Sequence, residues 1–201
     1  PPRALVRDAA LPLPEDSRGR AGPLAGPAAA GAALLAATLN NDPAARLQAL
    51  ESLLKITPAD PAVLIPLAES LVNAHRFGEG VDLYERAYRA EPSRADLLNS
   101  AGYALAWAGR YDDALAALAR YEKADPDSAN PADSRGEVLM MAGRFTEAEQ
   151  AFLASYERDP RFNSGAALEK AALVRWLAGD AKAAGAHPPR FLKQRADERH
   201  P

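Results

Sequence analysis

Between Ala95 and Ser128 the apolar residues Leu98, Ala101, Leu105 and Ala108 recur at steps of three and four, the spacing of one buried helical face. Gly109 follows, a residue suited to the left-handed conformation that ends a helix. A second helix is predicted from Tyr111. Asp112 and Asp113 lie in its first turn, where carboxylates favour the helix dipole, and Ala114, Leu115, Leu118 and Tyr121 point inwards. Pro126 then stops it, because proline lacks the amide hydrogen that a helix interior needs. The segment reads as two helices folded back on each other.

This pattern is one period of a repeat. Pro58, Pro92, Pro126 and Pro160 are each 34 residues apart, and five further columns keep the same register. They are Ala68, Gly102 and Gly136; Leu71, Leu105 and Leu139; Phe77, Tyr111 and Phe145; Gly80, Ala114 and Ala148; and Tyr84, Leu118 and Phe152. Small residues at Gly102 and Ala114 allow the two helices to approach closely. A helix pair this short cannot bury its apolar face alone, so it must stack on neighbours.

The period divides the chain. Repeats are expected over 61–94, 95–128 and 129–162, with a degenerate one over 27–60 and a capping first-type helix over 163–180. Pro66, about six residues into its helix, is expected to kink it or delay its start. Residues 1–26, rich in Pro, Gly and Arg, read as a poorly ordered linker. The tail 181–201 is expected to hold one short helix after Pro189. The run Ala21–Leu39 follows Arg18 and Arg20 like a targeting signal, but glycines and prolines interrupt it, so it is read as a buried helix without membrane insertion.

Those columns resemble the tetratricopeptide repeat family of bacterial type. The best-matching unit supplies Leu98, Ala101, Gly102, Leu105, Ala114, Leu118 and Pro126; the next supplies Gly136, Leu139, Ala148, Phe152 and Pro160; the earlier one supplies Leu67, Ala68, Leu71, Tyr84, Ala87 and Pro92. Tyr121 and Ser155 stand where the family has a small alanine, Arg135 stands where leucine is usual, and no Trp lies near the repeat starts. The resemblance covers 61–162 strongly and about 27–180 loosely. It implies an all-α, right-handed superhelical solenoid of antiparallel helix pairs, whose first helices line a concave face that holds a peptide or a partner helix.

On that placement the groove residues are Ile65, Glu69, Val72 and Asn73 from one repeat and Asp96, Asn99, Tyr103 and Trp107 from the next. Asn130, Asp133, Glu137, Met140 and Met141 come from the third. Tyr103 and Trp107 are four residues apart, hence on one helix face, and the two methionines offer an adaptable surface. The strip is mixed apolar and acidic, suited to a protein or peptide segment with apolar anchors and positive charge. The same spacing also allows Trp107 and Met140 to pack between neighbouring helices. The carboxylate-gripping cations of heat-shock cochaperones in this family have no counterpart: the matching positions are Ile65, Glu69, Ser100, Asn130 and Ser134.

Composition narrows the rest. A net charge of −3 shows no basic excess of the kind that marks nucleic-acid binding, and there is no cysteine for thiolate catalysis or disulfides. No phosphate-binding glycine motif is present. His75, His187 and His200 stand apart from one another and from carboxylate clusters. Glu147 and Glu149 are expected as helix-surface charges. No cofactor, metal or catalytic group is expected. The function that follows is a non-catalytic interaction or scaffold module. Alternatives are a regulatory or scaffolding segment of a larger enzyme or secretion assembly, and a self-associating module. The chain opens on Pro1, as expected of a processed product or an excised fragment, and the lack of cysteine is compatible with the cytoplasm or periplasm of a bacterium without choosing between them.

Overall fold

The computed structural model describes residues 26–180. The expected linker up to residue 25 and the tail from 181, with its short helix, lie outside the described residues. Two compact units divide the chain, Pro1–Ile56 and Thr57–Pro201. Among the described residues the fold is all-α, with no strand.

The first unit holds α1 (Pro27–Leu39) and α2 (Pro43–Ile56). Ala37 is the one buried residue of α1, while Leu35 and Leu39 are exposed. The expectation of a buried helix is therefore corrected: a helix made mostly of Ala and Gly has little apolar area to bury. No helix among the described residues is long and apolar enough to cross a membrane.

The second unit alternates first helices with second helices. Its elements are α3 (Pro61–Asn73), α4 (Phe77–Ala90), α5 (Asp96–Trp107), α6 (Tyr111–Ala124), α7 (Asn130–Met141), α8 (Phe145–Arg158) and α9 (Ala166–Leu177). A short 3-10 turn, Phe162–Gly165, precedes α9. The start of α3 is not delayed by Pro66. Asp60 caps it by accepting the Ala62 amide at 2.9 Å, Pro61 occupies its first turn, and the helix runs on through Pro66.

Each first helix of this unit ends in the same way. The amide of Gly109 bonds the Ala106 carbonyl and that of Arg110 bonds the Leu105 carbonyl, both at 2.9 Å, which closes the last turn around a left-handed residue. Gly109, Gly143 and Gly179 take this position with φ of 75°, 72° and 89°. His75 takes it in α3 with φ 59°, and Asn41 does so after α1 with φ 51°. The five positions are separated by 34, 34, 34 and 36 residues, so the last period carries two extra residues. They fall at the turn before α9, where Asn163, Ser164 and Gly165 all have positive φ.

First and second helices cross at contacts too tight for a further carbon. A Cβ on Gly136 would lie 2.5 Å from Phe152 Cε1, and one on Gly80 would lie 2.6 Å from Val72 Cγ2. Leu98, Leu118, Leu139 and Phe152 fill the space around these crossings and are almost fully buried.

Two substitutions test this account by urea denaturation. Gly136→Ala should destabilise the chain by about 2 kcal/mol, the usual size of a core overpacking penalty. His75→Gly should stabilise it by about 0.5–1 kcal/mol, because it removes the left-handed strain of a residue with a Cβ.

Candidate functional site

Three first helices, α5, α7 and α9, present one connected row of polar and aromatic side chains. Tyr103 on α5 donates its hydroxyl to Glu137 Oε2 on α7 at 2.5 Å. Lys170 on α9 then donates to Glu137 Oε1 at 2.5 Å and to Asp133 Oδ2 at 2.6 Å, and its ammonium lies 5.5 Å from the centre of the Phe152 ring. Tyr103 also stacks obliquely on Trp107, one turn along α5, with ring centres 5.9 Å apart. The 34-residue period sets Tyr103 and Glu137 at equivalent places on adjacent first helices, so one side chain reaches the next.

The electrostatics follow from how deeply these groups sit. Burial pushes the Tyr103 phenol well above its usual pKa, and the bond to Glu137 pushes the same way. Burial also raises Asp133, outweighing the pull of Lys170. For Lys170 burial works downwards, but the bonds to Asp133 and Glu137 prevail and leave its pKa raised. Lys170 therefore stays an ammonium ion, half-buried between two carboxylates and an aromatic face. Asp133 Oδ1 and Asn99 Oδ1, at equivalent places on α7 and α5, are buried acceptors without a hydrogen-bond partner.

The expected groove residues divide into three groups. Glu69, Asn73, Asp96, Trp107 and Met141 are exposed, Trp107 with 55% of its surface accessible. Ile65, Asn99, Tyr103, Asn130, Glu137 and Met140 are partly exposed. Val72 and Asp133 are buried. Val72 fills the space above Gly80 and so belongs to the α3–α4 crossing rather than to an open groove. Asp133 is covered and paired with Lys170. Trp107 extends into solvent and does not pack between helices, whereas Met140 leans on the core around Phe152. Asp96 is tied to Arg94 at 2.7 Å. Asn130 donates to the Tyr121 hydroxyl at 3.1 Å, which accounts for a tyrosine at a place where the family has alanine.

Lys170 was not among the expected residues. Its signal in the sequence is the one lysine of α9, beside the buried Ala167 and Ala171, but the two-residue insertion shifts it out of the 34-residue register. Glu149 is a second correction. It is buried, 2.5 Å from Arg175, because α9 covers the face of α8 that was expected to meet solvent. Among the described residues no group of three or more His, Asp or Glu is placed to hold a metal ion.

Lys170→Met should lower stability by about 3 kcal/mol at neutral pH, since it leaves two carboxylates without their cation. Because the folded pKa of Lys170 is raised, its contribution is whole below about pH 10.4, the unfolded value, and is lost as pH rises through the higher folded value. Denaturation of both proteins at pH 7 and pH 11 should show the gap narrowing at the higher pH.

Comparison with known proteins places this geometry. Residues 65–129 match the family model described as tetratricopeptide repeat. No curated protein matches the chain. Among solved structures, MamA 41-end from Desulfovibrio magneticus RS-1 is similar with a TM-score of 0.65 and 16% identity over 84% of this chain and 94% of that one. A crystal structure of MamA protein gives a TM-score of 0.67 at 16% identity, covering 84% of this chain and 91% of that one. MamA MSR-1 gives 0.58 at 22% identity, covering 86% and 97%. At these identities the likeness is one of fold. Residues 65–129 thus match the tetratricopeptide repeat family, and the all-α fold is similar to that of the MamA structures.

Proposed function

We propose that this chain is a non-catalytic protein-interaction module that holds a segment of a partner protein against the first helices of its second unit. The observation that carries this reading is Trp107. A tryptophan left more than half exposed, beside Tyr103 and in line with the exposed Met141, belongs to an apolar patch of the kind that marks interaction sites. Aromatic residues and methionine are also the side chains that most often anchor protein interfaces.

The lining favours one kind of segment. Ile65, Tyr103, Met140 and Met141 offer apolar contact. Glu69 brings negative charge, Asp96 and Glu137 bring carboxylates already paired with Arg94 and Lys170, and Asn73, Asn99 and Asn130 add hydrogen-bonding groups. A partner segment with apolar anchors and nearby lysine or arginine meets both. The tetratricopeptide match supports the reading at the level of the class, because such repeats serve as interaction scaffolds. No role in catalysis is proposed for Asp133, Glu137 or Lys170. Their contacts satisfy one another and tie α7 to α9.

The test is affinity capture from the source cell with the wild-type chain and with Trp107→Ala/Met141→Ala, read by mass spectrometry. The variant should keep its helical circular dichroism and lose the partner at least tenfold, since both side chains are solvent-exposed. Capture that is unchanged in a folded variant would place the binding face elsewhere.

A further inference from the structure

The last residue of each first helix in the second unit after α3 is apolar and exposed: Trp107 at 55%, Met141 at 39% and Leu177 at 43%. They occupy equivalent places, immediately before the turn that ends α5, α7 and α9, and so form a row along one edge of the unit. Leu173, one turn before Leu177, is exposed as well. Carboxylates flank the row. Glu137, bonded to Lys170, is one turn before Met141, and Asp112, with its side chain 98% exposed and 3.5 Å from Arg144, opens the helix after Trp107. Surface rows of this kind in soluble proteins are normally covered by something.

The chain holds a segment with the complementary pattern. Residues 181–201 contain five Lys and Arg (Lys182, Arg190, Lys193, Arg195 and Arg199) against Asp197 and Glu198, a net of +3. The whole chain carries −3, so the other 180 residues carry −6. Phe191 and Leu192 sit in the middle of the basic residues. The chain leaves the described unit at Asp180, three residues after Leu177 and at the same edge as the row. Phe191 lies eleven steps along the chain from Asp180, enough to span about 36 Å when extended. Packed helices lie about 10 Å apart, so the path from Leu177 past Met141 to Trp107 is about 20 Å. The segment can reach. A tether of this length also gives an effective concentration in the millimolar range, which favours the chain's own segment over that of a second copy at micromolar concentration.

We propose that segment 190–199 docks in cis on the Trp107–Met141–Leu177 edge, with Phe191 and Leu192 covering the apolar row and the basic residues drawn by the net negative charge of the rest of the chain. It rests on the reading of this face as a binding surface, and it makes the segment an internal competitor of the partner. A basic, apolar partner segment then binds by displacing it.

The absence of native cysteine makes the test direct. Met141→Cys and Leu192→Cys are placed together in the full chain and oxidised with glutathione disulfide at low micromolar protein. The mass and the thiol count are then read over time. An intramolecular disulfide should close at least tenfold faster than in a control chain with Glu157→Cys and Leu192→Cys, Glu157 being exposed near the end of α8. Adding Phe191→Asp should bring the first pair down to the control rate. Equal rates for the two pairs, disulfides only between chains, or no effect of Phe191→Asp would each overturn the proposal. Loss of fast closure with partner capture still dependent on Trp107 and Met141 removes only the internal competitor. Fast closure with capture independent of them keeps the docking and removes the partner face.

Discussion

The closeness of first and second helices governs this structure. At Gly136 the backbone of α7 lies against the ring of Phe152, and at Gly80 the backbone of α4 lies against Val72, at distances that leave no room for a Cβ. Close packing of this kind gains dispersion contacts over the whole crossing, but only if one partner is small and the other large. That requirement repeats with every helix pair, and it writes the 34-residue period into the chain. It also explains why the small residue moves: α3 carries Ala68 where α5 and α7 carry glycine, and α4 carries Gly80 where α6 and α8 carry alanine. Each pair keeps its close approach by a slightly different exchange of volume.

Pairs so built still expose an apolar face on each side, and the bonds between successive pairs fix how those faces meet. On the first helices the chain Tyr103–Glu137–Lys170 links α5, α7 and α9. On the second helices Arg120 grips Glu85 and lies over the Tyr88 ring, and Arg158 reaches both Glu122 and the Ser128 carbonyl. The exposed members of this set contribute little energy individually. The half-buried ones do more, because a cation such as Lys170 leaves two carboxylates stranded if it departs. The result is a first-helix surface held in register, on which Trp107 and Met141 project at equivalent places. A rigid row of exposed anchors binds with a smaller ordering cost than a flexible one.

The period was the legible part of the sequence. Six columns at one spacing defined helix pairs, their turns and the small residues of their crossings, and the structure has helices where those columns demanded them. Side-chain fate was harder to read. Val72 and Trp107 both lie on first helices among the expected groove residues, yet one faces Gly80 and the other faces solvent. Helical spacing alone does not separate the two faces when the opposing residue is a glycine with no side chain to announce itself. Lys170 escaped notice for another reason. Two extra residues at Asn163–Gly165 displace α9 from the 34-residue register, so a comparison at fixed spacing sets Lys170 against Gly136 instead of Ser134, the neighbour of Asp133. Glu149 misled because a charged residue on a second helix is normally solvated, and only the packing of α9, which brings Arg175, makes its burial tolerable.

The central claim is that the first-helix surface of the second unit, and not the second helices, meets the partner. Hydrogen–deuterium exchange of the full chain, alone and with its captured partner, tests that claim most directly. Added protection concentrated in the C-terminal turns of α5, α7 and α9 is the result this account predicts. Protection confined to α4, α6 and α8, with those turns unchanged, would contradict it.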